Sequence, residues 1–303
     1  MFEQPPFETR LDQMPHITRA RGFRLYGANG KRYVDLWQSG GAAILGHNPP
    51  GVLRELKNTA ERGLFAPLPT HVEARFFKAL AALLPGHSFY VYADGYSLYR
   101  MLSGAGFGGI TFPARSVFDP ALGDERNEGR EKTVSLWRPF LPVEDAPSCP
   151  LLLPVLPWHL APKTLAIRNG AFPAGGASAD STRPPVSDAV SPVILAAATR
   201  AVYDLLAEIG QAQAAQAARS GTRTAPLAAR FPALAKALAS SAWRQKGVYL
   251  HYGDRPDDTG YSALFQRFLE AGFLLPPAPN QPAILPPVLS AGEEAKLAAL
   301  LKE

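Results

Sequence analysis

The spacing of apolar and polar residues changes period several times along the chain, and each change predicts an element. Residues 23–37 alternate about Ala28-Asn29-Gly30, which reads as two short strands joined by a tight turn. The alternation sets Val34 and Leu36 on one face and Tyr33, Asp35 and Trp37 on the other. After Gly40-Gly41 the period lengthens, and residues 52–64 and 72–84 carry apolar positions at helical spacing, with Pro67 and Pro69 between them. "SFYVYADGYSLYRML" begins as a β-rich run and becomes helical after Asp94-Gly95.

The middle of the chain loses helical periodicity. "GGITFPA", "TVSLWRPF", "CPLLLPVLP" and "KTLAIRN" read as short strands, with a charged loop over 119–132. Residues 170–192 form a Gly/Ser/Pro-rich linker that ends at Ser191-Pro192, a cap followed by a first-turn proline, and a long helix follows to about Ala218. Beyond it, 231–243 reads as a helix, "GVYLHYG" as a strand, and Asp258 as the start of a helix running to Ala271. "AILPPVL" reads as a strand, and Ser290 with Glu293 as a capping box on a final helix. No internal repeat interrupts this order.

Composition narrows the class. The 303 residues are 47% apolar and 19% charged, a mix that buries a core, and the 30 prolines cluster over 139–192 and 276–287, where long helices are disfavoured. The net charge of +5 is mild. Its densest basic run, "TRARGFRLYGANGKR", is interleaved with turn residues, so it reads as a solvated hairpin rim; no nucleic-acid reading module is present. Cys149 is the lone cysteine, no charged start with an apolar stretch marks a signal peptide, and no run approaches the roughly 18 apolar residues of a membrane helix. The expectation is a cytoplasmic protein without a nucleic-acid or membrane partner.

Candidate chemistry begins at the strand-to-helix turn Asp94-Gly95, because the first N–H groups of a helix are unpaired and favour an anion. The histidines are scattered without a second ligand at helical spacing, which predicts no zinc site, and neither a nucleophile elbow nor a P-loop occurs.

Several ordered segments carry a resemblance. Arg21-Gly22, Leu25-Tyr26, Asn29-Gly30-Lys31-Arg32-Tyr33-Val34-Asp35-Leu36 and Leu45-Gly46-His47-Asn48-Pro49-Pro50 are similar to the N-terminal segment of class III aminotransferases and glutamate-1-semialdehyde aminomutases. "SPVILAAATRAVYDLL" resembles the helix returning to that family's small domain, and the last 40 or so residues resemble its C-terminal unit. The resemblance implies a shortened aspartate-aminotransferase-like α/β large domain (PLP fold type I) with a small α/β C-terminal domain. It divides the chain into an N-terminal segment (1–85), a shortened large-domain core (86–190) and a C-terminal small domain (191–303). It also implies pyridoxal phosphate as cofactor and a homodimer, with Trp37, Leu45 and Pro49 near the partner.

In such enzymes a lysine forms a Schiff base with the cofactor, a carboxylate pairs with its pyridinium nitrogen and a helix start holds its phosphate. Gly95, Tyr96 and Ser97 stand where the family's phosphate turn is, but Asp94 places a carboxylate beside the phosphate position. Ser39, Gly40 and Gly41 stand where the substrate passes. Lys163 is the sole lysine between Thr133 and Ala235 and the candidate Schiff-base residue, although it lacks the family's following glycines and suits an edge strand equally well. The apolar run "PLLLPVLPW" ends in prolines and Trp158 where adjacent acids are wanted. A crossover unit takes about 30 residues, so the middle segment holds only about three or four. Three readings stay open: a degenerate, catalytically inactive relative that binds at most a small phosphorylated or carboxylated ligand; an active PLP-dependent aminotransferase or aminomutase with displaced residues; and a non-catalytic assembly partner of an active paralogue. The missing supports favour the first.

Overall fold

Asn29 and Gly30 do what their dipeptide predicts. Gly30 takes φ +75°, the Lys31 N–H donates to Asn29 Oδ1 (3.1 Å), and the chain reverses between β2 (Arg24–Gly27) and β3 (Arg32–Asp35), with β1 (Ile17–Arg21) antiparallel on the outer side of β2. A short helix, α1 (Glu8–Leu11), precedes them. This computed structural model describes residues 8–104, 119–122, 134–142, 148–171, 185–217, 230–253 and 257–302, and side-chain detail is absent for 8, 9, 103, 104 and 212–217. The chain forms two units, one of residues 1–48, 140–142 and 209–303, the other of 49–139 and 143–208.

The second unit is built on one mixed sheet. α2 (Pro50–Ala60) and α3 (His71–Leu83) lead into β4 (His87–Tyr92) and α4 (Gly95–Gly104); β5 (Val134–Trp137), β6 (Leu151–Pro154) and β7 (Lys163–Arg168) follow, then α5 (Pro192–Ala217), which runs on into the first unit's part of the chain. Thr70 caps α3 through its hydroxyl (3.3 Å to the Val72 N–H), and Pro50 and Pro192 start their helices where a missing N–H costs nothing. The strand order is β4-β7-β6-β5, with β5 parallel to β6 and β7 antiparallel to both neighbours. Tyr92, Val134, Leu151 and Leu165 of the sheet bury against Leu98 and Leu102 of α4, while Val52 and Leu56 of α2 pack on Ala197 and Ala201 of α5.

In the first unit, β3 continues sideways into β10 (Phe273–Leu274), a parallel pair that sets Val34 opposite Phe273. A second sheet, of order β11-β9-β8, contains β8 (Trp243–Lys246), β9 (Tyr249–Tyr252) and β11 (Ala283–Ile284), all antiparallel. Leu36 joins the two sheets, its N–H donating to the Leu274 carbonyl (2.9 Å) and its carbonyl accepting from Ile284 (2.6 Å). Helices α6 (Pro232–Leu238), α7 (Asp258–Glu270) and α8 (Ala291–Leu300) complete one core around Leu36, Leu234, Trp243, Phe265, Phe268 and Phe273. The Ser290 capping box is formed in both directions.

Two readings of the pattern need correction. The segment 231–243 is not one helix: α6 stops at Leu238, and Trp243 begins β8, where its ring meets Tyr252 edge-on at 5.4 Å. Of "AILPPVL" only Ala283 and Ile284 are strand, since the two prolines that follow cannot donate to a ladder. Tyr33, Val34 and Asp35 are all buried, so both faces of β3 are covered, consistent with its place between β2 and β10 inside its sheet. "GGITFPA" and most of the loop over 119–132 lie outside the described residues.

Candidate functional site

Because β7 runs against its neighbours, the C-terminal ends of β4, β5 and β6 and the N-terminal end of β7 meet at one edge of the sheet. Ligands of α/β sheets sit outside the carboxyl ends of the strands, so this edge is the candidate site. Lys163 opens β7 directly opposite Tyr92, the last residue of β4, two positions before the Asp94-Gly95 turn. Lys163 thus starts β7 beside the end of β4, from which the turn to Gly95, Tyr96 and Ser97 departs. Lys163 and Tyr96 are exposed, and the Arg100 guanidinium lies over the Tyr96 ring at 5.9 Å.

One of the donors an anion needs at that turn is already engaged. Asp94 Oδ1 accepts from the Ser97 N–H (2.8 Å), capping α4 with the chain's own carboxylate. The Ser97 N–H holds the Asp94 carboxyl below its usual value, against a cost of desolvation, and the Ser97 hydroxyl and Tyr96 N–H add to the effect. A second carboxylate arrives from far along the chain. Residues 187 and 188 lie along the outer edge of β4: Ser187 Oγ accepts from the Val91 N–H (3.1 Å), the Asp188 N–H donates to the Val91 carbonyl (2.8 Å), and Asp188 Oδ2 accepts from the Ala93 N–H (3.0 Å). Burial raises the pKa of the Tyr92 phenol, with Asp188 and Tyr90 adding to it, and its hydroxyl has no hydrogen-bond partner among the described residues.

Among the described residues, no carboxylate stands ready at these strand ends for a pyridinium nitrogen. β6 ends at Pro154, and β5 ends at Trp137, followed by Arg138, whose guanidinium binds Asp119 through Nε (2.9 and 3.1 Å) and Nη2 (2.6 Å). Both members of that pair are nearly inaccessible. At this edge Asp94 and Asp188 thus accept from the Ser97 and Ala93 N–H groups, and Asp119, beside β5, is paired with Arg138. Sequence reasoning found Asp94 but missed Asp188, whose only signal was its place in a linker.

Ser39, Gly40 and Gly41 belong to the first unit. They lie in a left-handed turn (Gln38–Gly41) in which φ is +48° at Gln38, +49° at Ser39, +69° at Gly40 and +114° at Gly41. Two non-glycine residues in this region are strained, and the buried Asp35 holds them there. Asp35 Oδ1 accepts from the Trp37 N–H (2.9 Å) and the Gln38 N–H (2.8 Å), and Oδ2 lies 2.7 Å from His47 Nε2. Gln38 Nε2 donates to the Ile284 carbonyl (3.1 Å). Asp35, with His47 against its second oxygen, thus serves as the anchor of this turn.

Among the described residues no cluster of histidine, cysteine and acidic side chains is arranged for a metal, and no helix is long and apolar enough to cross a membrane. No family model matches the chain. An uncharacterised protein of Treponema pallidum is 28% identical over 301 residues, which covers 89% of this chain and 88% of that one. A glutamate-1-semialdehyde 2,1-aminomutase of Sorangium cellulosum is 42% identical over 69 residues, 23% of this chain and 16% of the enzyme. The crystal structure of a β-phenylalanine aminotransferase from Variovorax paradoxus superposes with a TM-score of 0.61 at 15% identity, covering 98% of this chain and 91% of that one. The architecture is that of the PLP fold type I aminotransferases.

Proposed function

We propose that this chain is a non-catalytic derivative of the class III aminotransferase scaffold, whose cofactor edge has been closed by its own carboxylates. The observation that carries the reading is the double occupation of the turn before α4: Asp94 on the Ser97 N–H and Asp188 on the Ala93 N–H. A phosphate dianion placed there would displace both carboxylates or lie against two like charges.

The placement of Lys163 beside that turn supports the competing reading, an active enzyme with displaced residues. One titration separates the two. Wild-type protein is expected to show no lysine-dependent visible absorbance band with pyridoxal phosphate and no borohydride-fixed label on Lys163. The double variant Asp94→Ser, Asp188→Asn keeps a cap and an acceptor while removing both charges, and is expected to bind the phosphate at least about tenfold more tightly than wild type. A band in the wild type that disappears in Lys163→Ala, accompanied by amine transfer from an amino acid to a keto acid, refutes the proposal in favour of the enzyme.

A further inference from the structure

The second unit holds a cavity of about 110 Å³ where α2, α3 and α5 converge, away from the sheet edge described above. Ala196, Thr199, Arg200 and Tyr203 fall at i, i+3, i+4 and i+7, one face of α5, and line one side. Val72 and Arg75 of α3 and Glu55 of α2 line the other. Val72, Ala196 and Thr199 are buried and form the floor, while Arg75, Arg200 and Tyr203 stand at the exposed rim.

The charges of this cavity divide into two kinds. Arg200 is committed, paired with Asp204 (2.6 Å) and set so close to α2 that a side chain at Gly51 would meet its Nε at 2.8 Å. Arg75 and Glu55 form no ion pair with each other, and neither has a side-chain hydrogen bond to another described residue. Thr199 Oγ1 spends its proton on the Leu195 carbonyl (2.6 Å), so what it offers is lone pairs, an acceptor. A simple anion attracted to Arg75 meets Glu55; a simple cation attracted to Glu55 meets Arg75. An occupant carrying both charges satisfies the pair.

We propose that this cavity binds a small α-amino acid zwitterion of about the size of glycine or alanine. The carboxylate lies on the Arg75 guanidinium, the ammonium lies between Glu55 and Thr199 Oγ1, and the short side chain rests on Val72 and Ala196. The volume sets the size, since it falls below the roughly 300–1,000 Å³ of drug-sized sites. This proposal does not depend on the state of the cofactor edge.

The test is calorimetric titration of the full chain with glycine, L-alanine, acetate and methylammonium. Saturable binding of glycine or L-alanine is expected, with acetate and methylammonium at least tenfold weaker. Arg75→Gln and Glu55→Gln should each weaken amino-acid binding at least tenfold, and Arg75→Lys, which keeps the charge, should recover part of the loss. Glu55→Gln should also reverse the order, so that acetate binds better than glycine. Absence of saturation by both amino acids, acetate binding as tightly as glycine in the wild type, or affinities that neither substitution changes would overturn the proposal. Unfolding midpoints matching the wild type confirm that the variants report on binding, as their positions at the rim lead one to expect.

Discussion

Replacing Glu293 by glutamine removes a charge from a carboxylate that serves three partners at once. Oε1 accepts from Arg24 Nε (3.0 Å) and Arg32 Nη2 (3.2 Å), and Oε2 accepts from Arg24 Nη2 (2.6 Å) and the Ser290 N–H (2.8 Å). Burial pushes the carboxyl up; the Arg24 hydrogen bonds, the Ser290 N–H and the Arg24 charge more than reverse this and hold it at about 2, against a usual 4.5. At about 1.4 kcal/mol per pH unit that interval corresponds to about 3 kcal/mol without screening. The Glu293 side chain is 11% exposed and that of Arg32 is 53% exposed, which brings the expected value to about 2 kcal/mol. Glutamine at this position preserves the capping box, so the substitution isolates the ion pairing. The folded carboxyl titrates below the unfolded one, so the stabilisation is complete above about pH 4.5 and fades as pH falls toward 2. In urea denaturation at pH 7, Glu293→Gln is expected to lose about 2 kcal/mol, and the gap between variant and wild type should close as the pH is lowered through that window. Equal stability at pH 7, or a gap that stays constant down to pH 2.5, would refute the reasoning.

Two further substitutions probe the first unit. Asp35→Ala leaves the Trp37 and Gln38 N–H groups without their acceptor and releases the left-handed turn; a loss of about 3 kcal/mol in chemical denaturation is expected, and a loss under about 1 kcal/mol would show that the turn holds itself. Gly247→Ala places a Cβ against the Phe140 carbonyl oxygen at a residue with φ +58°; about 2–4 kcal/mol should be lost, read as a lower thermal midpoint, whereas an unchanged midpoint would mean that the backbone yields freely.

How far the sequence discloses this molecule depends on the distance over which each feature is encoded. The hairpin at Asn29-Gly30, the strand-to-helix passage before Gly95 and the capping box at Ser290 are specified within a few residues, and all three form. The insertion of β7 between β4 and β6 is different, because no local pattern states which strands will pair. The same holds for the site. Asp94 is legible as a cap from its neighbours, but Asp188 reaches the Ala93 N–H across 95 residues, and the link is visible only once the edge of β4 is known. The sequence reads Trp243 as the end of a helix, but in β8 it pairs with Tyr252 and its ring packs against Tyr252 and Phe268, partners that no local pattern states.

The parallel register that sets Val34 opposite Phe273 has a consequence for biosynthesis. At about 5–20 residues per second, a ribosome needs roughly 12–48 s to travel the 239 positions from one to the other (273 − 34). During that interval Leu36, which ends with both backbone groups bonded to β10 and the Ile284 strand, has neither partner available. The whole of the other unit lies within residues 49–208 and is synthesised in that interval, before residue 273. One of the earliest segments made thus gains its edge partner late, and a nascent chain arrested before residue 273 leaves the β3 edge open to whatever else can pair with it.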